Sequence, residues 1–124
     1  MAPSHLTGAV VAVLTLAGCS AGTPAAGAPA TIEQLAARTG CSLNGSRGAE
    51  ELRQGSCSTS RGRYTLVGFT TDQGQAAWLR EAKPWGGTYL VGTRWVAVGT
   101  PAVLEGLRAD LGGRIDHGDR HHGG

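Results

Sequence analysis

Eleven basic residues, nine acids, four histidines and three cysteines are the stock from which this chain could build acid–base, nucleophilic or metal chemistry. They crowd in one place only, the C-terminus, where Asp116, His117, Asp119, His121 and His122 follow closely. Imidazole and carboxylate are ligands for zinc-like cations, so His117, His121 and His122 are the candidate metal ligands. The run DHGDRHHGG holds no apolar residue to seat it against a core, and specific metal sites rely on supporting outer contacts. Residues 116–124 are therefore expected to be an unstructured, His-rich tail. From Thr31 to Arg114 there is no histidine. Catalysis needs a tuned titratable pair or a nucleophile beside a base. Glu50 and Glu51 are neighbours in sequence and diverge, and no serine sits in a Gly-x-Ser-x-Gly elbow. No phosphate loop or dinucleotide fingerprint occurs. The expectation is a chain that is not an enzyme and takes no cofactor.

Binding chemistry is better represented. Trp85 stands in Pro84-Trp85-Gly86-Gly87, a loop sequence, and is expected to be the exposed tryptophan; Trp78 and Trp95 are placed on a helix and a strand as core residues. An aromatic presented by a loop is a common contact residue. Arg61 and Arg63 flank the turn of a hairpin, with Arg47 and Arg53 nearby in sequence, and could meet anionic groups. Net charge is only +2, too little for a nucleic-acid partner, which calls for a clustered basic face.

Residues 6–17 read LTGAVVAVLTLA, uncharged and apolar. The run is too short to span a bilayer, which takes roughly 20 residues, and has the form of the apolar region of a secretory signal peptide. The stretch Met1–His5 has no Lys or Arg, unlike the usual basic start of such signals. Leu16-Ala17-Gly18-Cys19 resembles the lipobox of bacterial lipoproteins. That resemblance implies cleavage before Cys19, a lipid on its sulfur, and a domain held at the outer face of the cell membrane. With Cys19 so used, Cys41 and Cys57 remain as an even pair in an oxidising compartment, and are expected to form a disulfide.

The segments that must position these residues follow in order. Residues 20–30 (SAGTPAAGAPA) are small and Pro-containing, a tether rather than a core. Thr31 and Gln34 form a capping-box pattern ahead of Ile32, Leu35 and Ala36, with Gly40 as the stop, so a first helix is predicted. Residues 41–55 look irregular, with a turn of helix near 50–53. Residues 57–59 and 63–70 predict a hairpin turned by Ser60-Arg61-Gly62. Its second strand alternates Tyr64, Leu66 and Gly68 with Thr65, Val67 and Phe69, and Gly68 marks a close approach. Asp72 is expected to cap a second helix that Pro84 ends. A second hairpin, residues 88–91 and 94–98, is expected to turn at Gly92-Thr93 with positive φ at Gly92. Thr100-Pro101 opens a third helix along Val103, Leu104, Leu107 and Leu111.

The order α-ββ-α-ββ-α gives an α+β fold, expected as a two-layer sandwich: a four-stranded antiparallel sheet with helices on one face. The division is residues 1–18 signal peptide, 19–30 lipidated cysteine and tether, 31–115 domain, and 116–124 tail. Beyond the lipobox, Gly40-Cys41, Gly55-x-Cys57, Trp78-Leu79 and Gly92-x-x-Trp95 resemble small lipoproteins of actinobacteria. The resemblance implies compartment and domain shape and carries over no functional residue. The expected role is a membrane-anchored, non-enzymatic binding or accessory domain for an envelope protein. The alternative is a small-ligand or divalent-metal carrier using the tail.

Overall fold

The computed structural model describes residues 29–48 and 52–119. The expected signal peptide, Cys19, most of the expected tether, and His121 and His122 lie outside the described residues.

Helix α1 (Ile32–Thr39) starts where the capping box demands. Thr31 Oγ1 accepts from the Gln34 amide at 3.1 Å, and Gln34 Oε1 accepts from the Thr31 amide at 2.9 Å. Gly40, at φ 76°, ends it in the left-handed conformation that glycine adopts without a Cβ penalty. Strands β1 (Asn44–Gly48), β2 (Leu52–Thr59) and β3 (Gly62–Phe69) follow. Helix α2 (Asp72–Ala82) is capped by Thr71, whose Oγ1 accepts from the Gly74 amide at 2.9 Å, one residue earlier than the expected Asp72. A 3₁₀ turn (Lys83–Trp85) leads to β4 (Thr88–Gly92) and β5 (Trp95–Gly99). Helix α3 (Pro101–Leu111) has Thr100 as its cap, and β6 (Arg114–His117) closes the described chain.

The strands form a six-stranded antiparallel sheet in the order β1-β2-β3-β5-β4-β6. The α+β class agrees with the sequence; the four-stranded, two-layer description does not. Two edge strands escape it. β1, of sequence NGSRG, is exposed throughout and has no apolar alternation to announce it. β6 runs from the end of the expected domain two residues into the stretch 116–124 expected to be unstructured: Ile115 packs against the core that α3 helps to build, and residues 114–117 pair with β4. Of the helical turn expected near 50–53, residues 50 and 51 lie outside the described residues, and Leu52 and Arg53 open β2 instead.

Helices cover both faces, not one. On one face α1 and α3 pack Ile32, Leu35, Leu104 and Leu107 onto Tyr64, Leu66, Leu90, Trp95 and Ala97. On the other, α2 sets Leu79 and Trp78 over Val67, Phe69, Tyr89, Val91 and Val96. A strand apolar on both sides must be covered on both sides, and β3 is such a strand. Each large aliphatic side chain fully buried this way stabilises the fold by about 1.5–3 kcal/mol. Gly68 lies under α1, where an added Cβ would meet Ile32 Cγ2 at 3.0 Å, the close approach the sequence marks there.

The second hairpin turns one residue later than expected. Gly92 is still in β4, paired with Trp95, and the turn is Thr93-Arg94, with the positive φ (62°) at Arg94. Gly92 is glycine for another reason: the Trp95 indole lies across it, 2.1 Å from where a Cβ would stand. Gln75, buried on α2, fixes this hairpin, donating to Gly92 O (2.8 Å) and Trp95 O (3.0 Å) and accepting from the Arg94 amide (3.1 Å).

Cys41 and Cys57 form a disulfide with Cα atoms 5.6 Å apart. It ties the end of α1 to the middle of β2.

Candidate functional site

Trp85 is 82% exposed, the exposed large hydrophobic residue of the described chain. Local chemistry puts it there. Pro84 has no amide with which to continue α2, so the chain tightens into the 3₁₀ turn, and Gly86 and Gly87, at φ 89° and 96°, reverse it into β4. The sequence reads this as a plain loop, but the C-terminal chain pins it. Asp119 N donates to Lys83 O and Gly118 N to Gly87 O, each at 2.8 Å. Lys83 Nζ reaches Asp116 Oδ2 at 2.8 Å. That hydrogen bond, reinforced by the charges of Lys83 and Arg114, holds the Asp116 carboxyl below its usual pKa against the opposing pull of burial. From beneath, the Tyr89 hydroxyl lies 2.5 Å from Gly86 O and 3.2 Å from Ala82 O, and burial pushes its pKa up, keeping it a donor.

Trp85 stands at the end of a sheet face that one helix cannot cover. A helix with its side chains is about 10–12 Å across, and strands lie about 4.8 Å apart, so α2 shields little more than two of the six strands. What remains open is ordered by register, since paired residues share a face. One row runs Asn44, Ser56, Thr65, Val98; a second begins Arg47, Gln54; a third is Ser58 with Arg63. Towards α2 the surface turns apolar: Gln54, Thr65, Val67 and Val98 meet Trp78, Ala82, Trp85 and Tyr89 around a hollow of about 360 Å³. Thr65 and Val98 also line the adjoining polar hollow with Asn44, Ser56, Ser58 and Arg63. The two are therefore one continuous face, aromatic at one end and polar at the other. Among the described residues, no Asp or Glu lines it. Trp78, half-buried, holds the wall through edge-on contacts to Phe69 (5.9 Å) and Tyr89 (6.0 Å).

The expected contact residues separate. Trp85 and Arg63 border the same face. Arg61 does not: it turns to α3, where it meets Asp110 at 2.8 Å and Gly106 O at 3.0 Å. Of the other arginines, Arg53 is held by Glu33 and Ser46 on the α1 side. Slight burial pushes the Glu33 pKa up, and the Arg53 hydrogen bond and charge bring it below normal. Among the described residues, neither Arg47 nor Arg63 has an ion pair. A second apolar hollow of about 330 Å³, between Ala30, Ile32, Leu52 and Phe69, is flanked by Arg53 and Arg94; both guanidiniums are already paired, to Glu33 and Asp72.

His117 is exposed in β6, in register with Thr88. Asp116 beside it belongs to Lys83. Among the described residues no three His, Cys, Asp or Glu side chains come together as a metal group, and no helix is long and apolar enough to cross a membrane.

Asn44 and Gln54 were missed because polar residues around glycines read as loop, and Ser56 and Ser58 because a serine in or beside a short predicted strand carries no mark of a binding face. The one signal in the sequence is the alternation of Gln54, Ser56 and Ser58 with buried Gly55 and Cys57, the period of a strand.

Comparison of the chain with protein-family models, with curated proteins and with solved structures returned no match.

Proposed function

We propose that this chain is a lipid-anchored, extracytoplasmic binding domain that catalyses no reaction and acts on another component of the cell envelope. The observation that carries the reading is Trp85: a large aromatic, 82% exposed, on a turn fixed by a proline, two glycines and three C-terminal contacts. Ordering a side chain before a ligand arrives lowers the entropy lost on binding, and an indole so exposed to water costs hydrophobic free energy. The polar end of the face supports a binding role over a catalytic one. Its side chains are hydroxyls, amides and guanidiniums, and none of these exchanges a proton readily near neutral pH. Anchoring rests on the sequence. The apolar run at residues 6–17 and Cys19 behind Leu-Ala-Gly fit export and lipidation, and residues 19–30 then serve as the spacer that lets the domain reach its partner.

Two measurements test this. Mass spectrometry of the membrane-extracted protein is expected to find a mature N-terminus at Cys19 carrying a diacylglyceryl group, lost in Cys19→Ala. A photoreactive residue placed at 85 in living cells is expected to form adducts with an envelope component. The same probe at Arg108, exposed on α3, is expected to form none. Equal labelling from both positions, or none from 85, removes the binding face.

A further inference from the structure

Independently of the binding reading above, we infer that Asn44 is a site of spontaneous modification: its carboxamide closes on the Gly45 amide, and the isoaspartyl product releases β1 from the sheet.

The chemistry belongs to the residue pair. The Gly45 amide nitrogen gives up its proton and attacks Asn44 Cγ. A bond forms between them, the bond from Cγ to the carboxamide nitrogen breaks, and that nitrogen leaves as ammonia carrying the proton. The product is a cyclic succinimide. Water then opens the ring at either carbonyl. Opening at Cγ leaves an ordinary aspartate; opening at the main-chain carbonyl leaves an isoaspartate, whose chain runs through the former side chain and is longer by one carbon. No electron is transferred, and water is the co-reactant.

Three observations place the reaction at this residue. The first is sequence. Asn44 is the only asparagine of the chain, and it precedes a glycine, whose missing Cβ leaves the amide open to close approach. No aspartate precedes a glycine. The second is backbone. Asn44 opens β1, an edge strand exposed along its whole length. The ladder slips there: Asn44 pairs with Ser56 and Arg47 with Gln54, so Gly45 and Ser46 stand against the single Gly55. A bulge of this kind leaves a residue unpaired and disrupts the ladder, and one class of bulge places a glycine at positive φ. Gly45 has φ 61°. The third is the side chain. Among the described residues the Asn44 carboxamide has no hydrogen-bond partner, so it turns towards Gly45 without breaking a contact. The carboxamides of Gln34 and Gln75 are held, one in the α1 cap and one at the second hairpin.

Attack requires Asn44 to leave its extended conformation, and the price of that motion is local. β1 buries no side chain, and exposed edges open far more readily than the core. An opening that costs 1–2 kcal/mol slows the reaction by about five- to thirtyfold. Opening the whole fold would slow it by about a thousandfold or more.

The two products act differently. Aspartate adds a carboxylate to the polar hollow that Asn44 lines with Ser56, Ser58 and Arg63. Isoaspartate lengthens the main chain ahead of Arg47 and Gly48 and moves them off their partners Gln54 and Arg53. With no buried side chain to hold it, β1 then detaches. β2 stays, because β3 pairs with it from Leu52 to Thr59.

The test incubates the purified full chain beside a synthetic peptide of residues 39–47, the fragment trypsin releases between Arg38 and Arg47. Heavy-oxygen water at neutral pH marks each new carboxylate, mass spectrometry follows fragment 39–47, and enzymatic methylation identifies isoaspartate. The folded chain is expected to convert at Asn44 no more than about thirtyfold slower than the peptide. Gly45→Ala is expected to slow conversion in both; alanine is strained at φ 61°, so the peptide reads the chemical effect free of the fold. In hydrogen exchange, the isoaspartyl fraction is expected to lose protection in β1 while β3 and β5 keep theirs. Slowing beyond about thirtyfold, label spread over the glutamines, or a Gly45→Ala peptide that converts as fast as wild type would overturn the site. Protection of β1 retained in the isoaspartyl fraction would overturn the release.

Discussion

The contact between Lys83 and Asp116 decides whether Trp85 is presented on a fixed turn, and Asp116→Asn tests that directly. The two side chains are 33% and 27% exposed and 2.8 Å apart. A fully exposed pair contributes about 0–1 kcal/mol, and a hydrogen bond to a charged group in a more buried setting about 1.5–3 kcal/mol. A partly covered pair falls between, at about 1 kcal/mol. The substitution keeps the shape and removes the charge, so the loss should be local, confined to β6 and the turn it straps down. Opening by about 1 kcal/mol raises the open population about fivefold. In hydrogen exchange, the amides of β6, Gly118 and Asp119 are expected to lose protection by that factor at pH 7, while α1, α3 and β3 keep theirs. The pH dependence follows from the sign of the shift. The folded carboxyl titrates below its unfolded value of about 3.9, so the stabilisation is fully present above that value and disappears as pH falls through the folded pKa. Wild type should therefore hold its β6 protection from pH 7 to 5 and lose it below about pH 4, whereas Asp116→Asn should show no such step. Wild-type protection in the variant at pH 7 would refute the strap and, with it, the account of why Trp85 is ordered.

Three further outcomes concern the frame. Gln75→Ala strips three partners from the turn of the second hairpin and is expected to cost about 2–3 kcal/mol in urea unfolding, far more than Gln73→Ala at an exposed position of the same helix. Gly92→Ala would drive a methyl into the Trp95 indole, 2.1 Å from Cε2, and should cost about 3 kcal/mol or more, with a change in near-UV circular dichroism as the indole moves. Replacing Cys41 and Cys57 by serine opens a loop with sequence separation 16 and should remove about 3 kcal/mol; a melting temperature unchanged by reductant would show that the bridge does not restrain the unfolded chain.

What the sequence revealed followed from side chains that announce their surroundings. The capping box of α1, the Thr-Pro start of α3 and the disulfide are readable because each residue there does its work locally or in a pair. The third layer was also within reach. Tyr64 and Leu66 face one way and Val67 and Phe69 the other, and two apolar faces on one strand require two covers. The edge strands were not within reach. β1 is built from Asn, Gly, Ser, Arg and Gly, whose own preferences are for turns, and it is a strand because β2 offers it a ladder of hydrogen bonds. β6 has one apolar residue, Ile115, and is likewise recruited by its neighbour β4.

The same physics explains why half of the site was hidden. Arg61 and Arg63 are two apart, a spacing that puts side chains on one face within a strand, but Arg61 lies in the turn and leans to α3. Trp85 was legible because proline before it and glycines after it leave an indole nowhere to fold. Gln54, Ser56 and Ser58 carry no such mark. They are polar because α2 does not reach β1 and β2, and an uncovered sheet face must be wettable. Wettability alone, however, does not specify amides and hydroxyls. The common way to keep an exposed strand soluble is with charges, lysine above all, and among the described residues this face is lined by no lysine and no acid. Neutral hydrogen-bonding groups beside Arg63, which has no ion pair among the described residues, and a tryptophan on a pinned turn are what solubility did not require, and they are the residues through which the binding reading stands or falls.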